Sequence, residues 1–470
     1  MSESALNFLD TPDGFIQSDQ PSLPLFGVHP DEVNRFLSTS AMVDAATIQI
    51  KLHAFQGEAG RVLLLPNAQG DLAGAIIGLG STNACAAFGA AARALPPDTI
   101  WHIEKGDFSL RDAELGFMLG AYKYQTRVSK KRNLARINLA SRKNHIIAGN
   151  IMMVRELINL PASLIGPKEL ADTVEQIANR YNADFVRVRH HELKKRFPAL
   201  YEVGAGSDRA PEAVILRWQG RDANNSSPLI SLCGKGVCFD TGGYNLKPGA
   251  SMRLMRKDMG GAAIALGLAS AIMALDLKLR LELRIGCVEN SISGHAMRPS
   301  DILSTRSGLT VEVGDTDAEG RLVLCDLLYE ACEAKPDWLI DIATLTGAAR
   351  VALGPDLPAL FCTNDQMAEA ILAAGRECND PLWRLPLHES YSSWLSTPFA
   401  DLCNISSKPF AGAITAALFL KYFVADSISW AHIDTYAWND TNRPGKAEGG
   451  DAQTLLALLT AAQKLAKSMP

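Results

Sequence analysis

The sequence predicts an α/β protein of two domains. The C-terminal, catalytic α/β domain has a mixed, mainly parallel sheet flanked by helices, and the N-terminal α/β domain is smaller. Three observations lead there. The chain has 470 residues, more than one domain usually holds. Strand-like apolar runs alternate with helix-period stretches through most of its length, the pattern of βαβ units. Its composition, 47% hydrophobic and 21% charged, is that of an ordinary globular protein.

In the first part, strands are predicted at "ATIQIKLHAF" (46–55) and "GRVLLLP" (60–66). Helices are predicted at "STNACAAFGAAARAL" (81–95) and "SLRDAELGFMLGAYKY" (109–124). The segment 123–143 carries eight Lys or Arg. A helical stretch, "NHIIAGNIMMVRELINLPAS" (144–163), breaks at Pro161. These features divide the chain into 1–145, a linking helix 146–165, and 166–470. Beyond it, "IGPKELADTVEQIANRYNADFVRVR" begins a stronger alternation. Strands are predicted at "AVILRW", "PLISLCGKGVCFD", "LRLELRIGCVE", "LTVEVGD", "DWLIDIATLT" and "SWAHIDT". The Gly- and Ala-rich run "MGGAAIALGLASAIMAL" (259–275) falls short of the roughly 20 apolar residues of a spanning helix and reads as a buried one.

Several classes are set aside. A net charge of −5 gives no general attraction to nucleic acid, and the basic run 123–143 reads first as a solvated helix face. Nine cysteines, odd in number and with no CxxC pair, suit free thiols in a reducing compartment. The opening "MSESALNFLDTPDGF" lacks the basic and apolar regions of a signal peptide, so a cytoplasmic protein is expected. No GxxxxGK[ST], GxGxxG, GxSxG or HExxH occurs.

Ligands of open α/β sheets gather at the carboxyl ends of strands. There the sequence places Lys235 and Asp240 in "GKGVCFDTGG", Lys247 in "YNLKPG", Asp258 before the Gly/Ala helix, and Asp317, Glu319 and Arg321 in "DTDAEGRLVL". Singly, each acid has an ordinary reading. Asp258 reads as an N-cap, Asp317 and Glu319 as charges at a helix N-terminus, and Asp240 as a turn residue. Together, four carboxylates at one sheet edge repel unless cations sit among them. Two divalent ions would balance them. Oxygen donors suit Mn²⁺ or Mg²⁺ and are accepted by Zn²⁺, and no histidine lies between 192 and 294 to build a His-based zinc site. A lysine beside such ions loses its proton and becomes a nitrogen ligand, whereas one further out stays charged and polarises a carbonyl.

The segments "GKGVCFDTGGYNLKPGASMRLMRKDMGGAAIALG" (234–267) and "DTDAEGRLVLCDLL" (315–328) closely resemble the M17 leucyl aminopeptidases, and "DIATLTGA" and "AGAITAALFLKYFV" extend the likeness over roughly 150–470. The resemblance implies that Lys235, Asp240, Asp258, Asp317 and Glu319 ligate two metal ions sharing a bridging hydroxide, Mn or Zn foremost. It implies that Lys247 is an electrophilic lysine and that Arg321 holds a bicarbonate acting as general base. Met255, Thr344, Leu345 and Gly347 would contact substrate. The implied activity is release of single N-terminal residues, Leu- or Met-like ones preferred, by a cytoplasmic homohexamer. DNA binding through 123–143 is the alternative, since some family members double as DNA-binding proteins. One position departs from the pattern: Asp315 stands where the family usually has Asn, so a hydrogen-bond donor is replaced by an acceptor. His295 is expected in a hydrogen-bonded structural role, His432 in a strand, and Trp383, Trp394, Trp430 and Trp438 as core or interface aromatics.

Overall fold

The computed structural model describes residues 5–17, 19–39, 43–81, 84–124, 133–139 and 141–468. The chain divides into two compact units, one built chiefly from Val154–Trp438 with the chain from Gly450, the other from Leu6–Met153 with Asn439–Gly449.

The larger unit holds an eight-stranded sheet. In chain order its strands are β1 (Asp184–Arg189), β2 (Glu212–Gln219), β3 (Leu229–Asp240), β4 (Arg280–Asn290), β5 (Trp338–Ala343), β6 (Ala359–Cys362), β7 (Trp383–Arg384) and β8 (Trp430–Asp434). Their order across the sheet is β7-β6-β8-β5-β3-β4-β2-β1. The central run β8-β5-β3-β4 is parallel, and antiparallel pairings join β2 to β4, β1 to β2 and β6 to β8. The sheet is therefore mixed and mainly parallel, as the alternation predicts.

Two helices bring the site residues to this sheet: α1 (Gly260–Ala274) and α2 (Glu319–Cys332). Successive strand residues point to opposite faces. Gly234 faces α1, and a Cβ there would lie 2.6 Å from the Ala262 Cα. Lys235 faces α2, where a Cβ on Gly320 would lie 2.7 Å from the Lys235 Nζ. Glycine at 320 thus leaves room for the lysine head. The α1 run is buried from Gly260 to Met273, which explains its lack of a polar stripe. Among the described residues one stretch, Met255–Ala274, is long and apolar enough to cross a bilayer, and 94% of its apolar window is packed inside the protein. The other face of the sheet is filled by a cluster that includes Cys233, Val237, Leu322, Leu327, Phe419 and Trp430. None of the nine cysteines forms a disulfide.

The smaller unit carries a six-stranded sheet in the order Phe15–Ile16, Arg136–Asn138, Ile100–Ile103, Leu23–Val28, Leu72–Gly78, Val62–Pro66, with only the last pair antiparallel. One expectation is corrected here. "ATIQIKLHAF" is not a strand; Val43–Leu52 is a helix. Among the helix residues whose burial is described, Ala46 and Ile50 are buried and lie one helical turn apart, while Ile48 and Leu52 are 62% and 72% exposed. The Ile48-Ile50-Leu52 alternation imitates a strand without facing a core. The segment 81–95 forms two short helices, Ala84–Phe88 and Ala91–Ala94, interrupted where a Cβ on Gly89 would meet the Gly445 nitrogen at 2.3 Å. Much of the basic run 123–143 lies outside the described residues.

Candidate metal centre

The carboxyl end of β3 delivers Lys235 and, five residues on, Asp240. The loop beyond turns at Gly242, whose φ is +89°, and returns Lys247 toward the strand end. Asp258 lies in the 3-10 turn Met255–Met259 leading into α1, Asp317 in the turn before α2, and Glu319 is the first residue of α2.

Two lysines clamp four carboxylates. Lys235 Nζ lies 2.8 Å from Asp258 Oδ2 and 2.8 Å from Glu319 Oε1, and donates to the Thr344 carbonyl at 3.1 Å. Lys247 Nζ lies 2.8 Å from Asp240 Oδ2 and 2.5 Å from Asp317 Oδ1. One oxygen from each of Asp240, Asp317 and Glu319 falls within 4.8 Å of the others. The ordinary readings fare unequally. Asp240 does close a turn, accepting the Gly242 N–H at 2.8 Å, but Asp258 caps no helix: the N-cap of α1 is Met259, without a side-chain bond. Asp258 Oδ1 instead accepts the Thr344 hydroxyl at 2.7 Å.

These residues fit divalent cations. Four carboxylates face two ammonium groups, leaving the cluster with an excess of two negative charges. Glu319 Oε2 is buried and has no hydrogen-bond partner among the described residues. A buried, unpaired carboxylate oxygen costs free energy unless a cation meets it. The protonation pattern has the same cause. Burial, then repulsion from Asp240, pushes Glu319 well above the usual carboxylate range. Burial and Asp240 likewise raise Asp317 to about 6 against the pull of Lys247. Burial and Asp258 raise Asp240. Asp258 alone is lowered, because Lys235 and Lys257 outweigh its burial. Burial opposes the charge on Lys235 and Lys247, but the surrounding acids hold both above the ordinary lysine value.

The cluster opens into a cavity of about 270 Å³, whose lining includes Met255, Thr344, Leu345 and Gly347 as well as both lysines and all four acids. Arg321 does not line it. Its guanidinium is buried, donates from Nη1 to the Asn404 carbonyl at 2.6 Å, and keeps Nε without a partner among the described residues. Burial pulls Arg321 down to about 10, which leaves it cationic at neutral pH. Asp315 stands outside the cavity, and its Oδ1 accepts the Asp317 N–H at 2.8 Å. An Asn carbonyl oxygen accepts the same N–H, so this contact holds the ligand loop but does not require Asp. His295 is exposed and its ring makes no hydrogen bond among the described residues, contrary to the structural role expected of it. His432 does lie in β8, buried, with Nδ1 2.5 Å from Asp341 Oδ1. Trp430 and Trp438 are buried, while Trp383 is 58% exposed.

Sequence reasoning missed the residues that hold the loop. Asn404, fully buried, accepts the N–H groups of Gly314 (2.8 Å) and Asp315 (3.2 Å) on Oδ1 and donates from Nδ2 to the carbonyls of Asp315 (2.7 Å) and Ala318 (3.4 Å). Asn290 Nδ2 donates to Asp240 Oδ1 and to the Thr316 carbonyl, tying the end of β4 to both ligand segments. Neither carries a spacing signal, since each acts across 26 or more positions of sequence. Lys257, Arg350 and Tyr436, also in the cavity wall, were likewise passed over, although Lys257 sits inside the quoted "MRKDMGG".

Comparison with known proteins gives the family of the chain. Residues 152–459 match the model of the cytosol aminopeptidase family catalytic domain, and 23–140 that of the M17 aminopeptidase N-terminal domain. A probable cytosol aminopeptidase of Rickettsia bellii (strain RML369-C) is 42% identical over 302 residues, 64% of this chain; the match spans 60% of the length of that relative. A peptidase B of Pectobacterium atrosepticum is 45% identical over 290 residues, 60% of this chain and 66% of that protein. The crystal structure of a cytosol aminopeptidase from Coxiella burnetii superposes with a TM-score of 0.90 at 40% identity, covering 96% of this chain and 99% of that one. The bottromycin maturation enzyme BotP in complex with Mn gives 0.85 at 30% identity, covering 95% and 100%. Fold, ligand-rich strand ends and family models coincide, and the chain belongs to the M17 cytosol aminopeptidase family.

Proposed function

We propose that this chain is a metal-dependent aminopeptidase that releases single residues from the N-termini of peptides. The observation that carries the reading is the convergence of Asp240, Asp317 and Glu319 oxygens within 4.8 Å of one another, beside Lys235 and Asp258, at the floor of a cavity. Lys235, Asp240, Asp258, Asp317 and Glu319 would hold two divalent ions, with Mn²⁺ or Zn²⁺ foremost; the relative solved with Mn supports the first. When bound, such ions supply Lewis acidity and an activated water near neutral pH.

The chain's own side chains do the rest. Lys235 would hold one of the ions through its neutral amine, its proton passing to solvent. Lys247 lines the cavity and offers an ammonium to the oxyanion that develops on the scissile carbonyl; a donor of this kind is typically worth about 3 kcal/mol. Arg321, cationic behind the cavity and with an Nε–H that has no partner among the described residues, provides the charge that would keep a bicarbonate near the leaving amine as general base. Met255 contributes apolar surface for a Leu- or Met-like first side chain, and Thr344, Leu345 and Gly347 form the adjoining wall. Apolar pockets discriminate by only about 1–3 kcal/mol per methylene, so specificity is broad. A cytosolic homohexamer is the assembly proposed with this activity.

The test is hydrolysis of Leu-p-nitroanilide by protein stripped with a chelator and then restored with Mn²⁺, Zn²⁺ or Co²⁺. Turnover that vanishes on chelation and returns with metal is expected. Turnover indifferent to chelation, or absent with every metal, overturns the reading.

A further inference from the structure

The cavity wall carries two cations that the hydrolytic machinery does not use. Lys257, in the turn before α1, is 6% exposed, and its Nζ lies 4.9 Å from the centroid of the Tyr436 ring. Arg350, in the helix Gly347–Leu353, places its Cζ 4.6 Å from the same centroid. All three residues line the cavity that contains the acid cluster. Neither cation forms an ion pair or a side-chain hydrogen bond among the described residues.

The nearby carboxylates are already engaged. Asp258 is taken by Lys235 and the Thr344 hydroxyl. Asp434 accepts the N–H groups of Leu345 (3.0 Å) and Thr346 (3.1 Å) and the Thr346 hydroxyl (2.6 Å). An aromatic face attracts cations but does not neutralise them, and a buried ammonium without an anion or acceptor is costly. Two such cations at one ring also repel each other. An anion entering the cavity would relieve both penalties.

We propose that Lys257 and Arg350, backed by Tyr436, bind a carboxylate of the substrate, so that an acidic group is favoured over its uncharged isostere. The inference rests on the aminopeptidase reading and narrows its substrate class. A glutamate side chain suits the wall, with an apolar stem for Met255 and an anionic head for the two cations. The same chemistry is offered by the C-terminal carboxylate of a dipeptide.

The test uses the full-length, metal-loaded protein and two pairs of substrates. Glu-p-nitroanilide against Gln-p-nitroanilide reports a side-chain carboxylate; Leu-Leu against Leu-Leu-amide reports a terminal one. One pair should favour the acid by about tenfold or more in kcat/KM, as a charge-assisted contact in a partly buried site implies. The ratio should fall toward unity in Lys257→Met and in Arg350→Met, and be largely kept in Lys257→Arg. Arg350 is exposed, so its variant folds even if Lys257→Met does not. Ratios near unity for both pairs in the unaltered protein, or ratios that neither variant changes, overturn the proposal. If no substrate is turned over, the peptidase reading falls, and calorimetric titration with L-glutamate against L-glutamine decides the carboxylate site alone. Tighter glutamate binding that weakens in Arg350→Met supports it, and equal binding rejects it.

Discussion

Lys235 and Glu319 meet at 2.8 Å, yet the second oxygen of Glu319, Oε2, is buried and has no hydrogen-bond partner among the described residues. The protein therefore holds a carboxylate that its own cations only half satisfy. In metal-free protein burial and Asp240 hold this carboxyl well above the usual carboxylate range; in metal-loaded protein it would be a ligand. Glu319→Gln should consequently raise the melting temperature of chelated protein by a few degrees and abolish the stabilisation by Mn²⁺. Binding at 100 times Kd stabilises by about 2.7 kcal/mol, so the lost increment is measurable by calorimetry. A variant that still gains stability on adding Mn²⁺ would remove Glu319 from the ligand set.

Lys247 is paired with Asp240 and Asp317 but lies at the cavity surface. Lys247→Ala should lower kcat on Leu-p-nitroanilide by about 10²–10³, the usual effect of deleting one oxyanion donor, with a much smaller change in KM. Elemental analysis should still find metal. Unchanged turnover would take the electrophilic role away from this lysine.

Asn404 holds the loop 314–318 through both ends of its amide and receives Arg321 on its backbone carbonyl. Asn404→Ala would leave buried N–H and C=O groups of that loop without partners, at about 1–3 kcal/mol each. We expect a lower melting temperature and Mn²⁺ affinity reduced about tenfold or more, because Asp317 and Glu319 are displaced together. Asn404→Asp keeps the acceptor toward Gly314 and Asp315 and loses the donor, and should fall between the two. Unaltered metal affinity in Asn404→Ala would confine the residue to a folding role.

Asp326, in the middle of α2, supplies the pH-dependent term. It accepts the N–H groups of Ala199, Leu200 and Arg306, and burial nonetheless pushes it up to about 7. A carboxyl raised on folding favours the protonated form. Its stabilising share is therefore complete below the unfolded value of 3.8 and is lost as pH rises through about 7. That loss is on the order of 4 kcal/mol at most, from 1.36 kcal/mol per unit. Urea unfolding from pH 4.5 to 7.5 should show a steeper decline in the unaltered protein than in Asp326→Asn, which cannot titrate. Parallel profiles would contradict the assignment.

How far the sequence reaches depends on the range of the forces involved. Strands such as 229–240 and 338–343 are legible because each is a continuous apolar run, a local consequence of burial on both faces of a parallel sheet. The helix 43–52 was misread for the same reason in reverse: local alternation cannot say which isoleucine finds a core. The acids of the candidate site were legible because they cluster at strand ends and a helix start, where spacing alone marks them.

By itself, then, the sequence determined the α/β class, the buried Gly/Ala helix and the set of acids and lysines that chemistry demands be neutralised. Tertiary structure alone decided that Asp258 caps no helix, that Arg321 sits behind the cavity rather than in it, that Asn404 and Asn290 secure the ligand loops, and that Lys257 and Arg350 converge on Tyr436. The physical reason is the same for each. Hydrogen bonds and Coulomb contacts act over a few ångströms of space, and the fold brings those few ångströms about between residues up to some 180 positions apart.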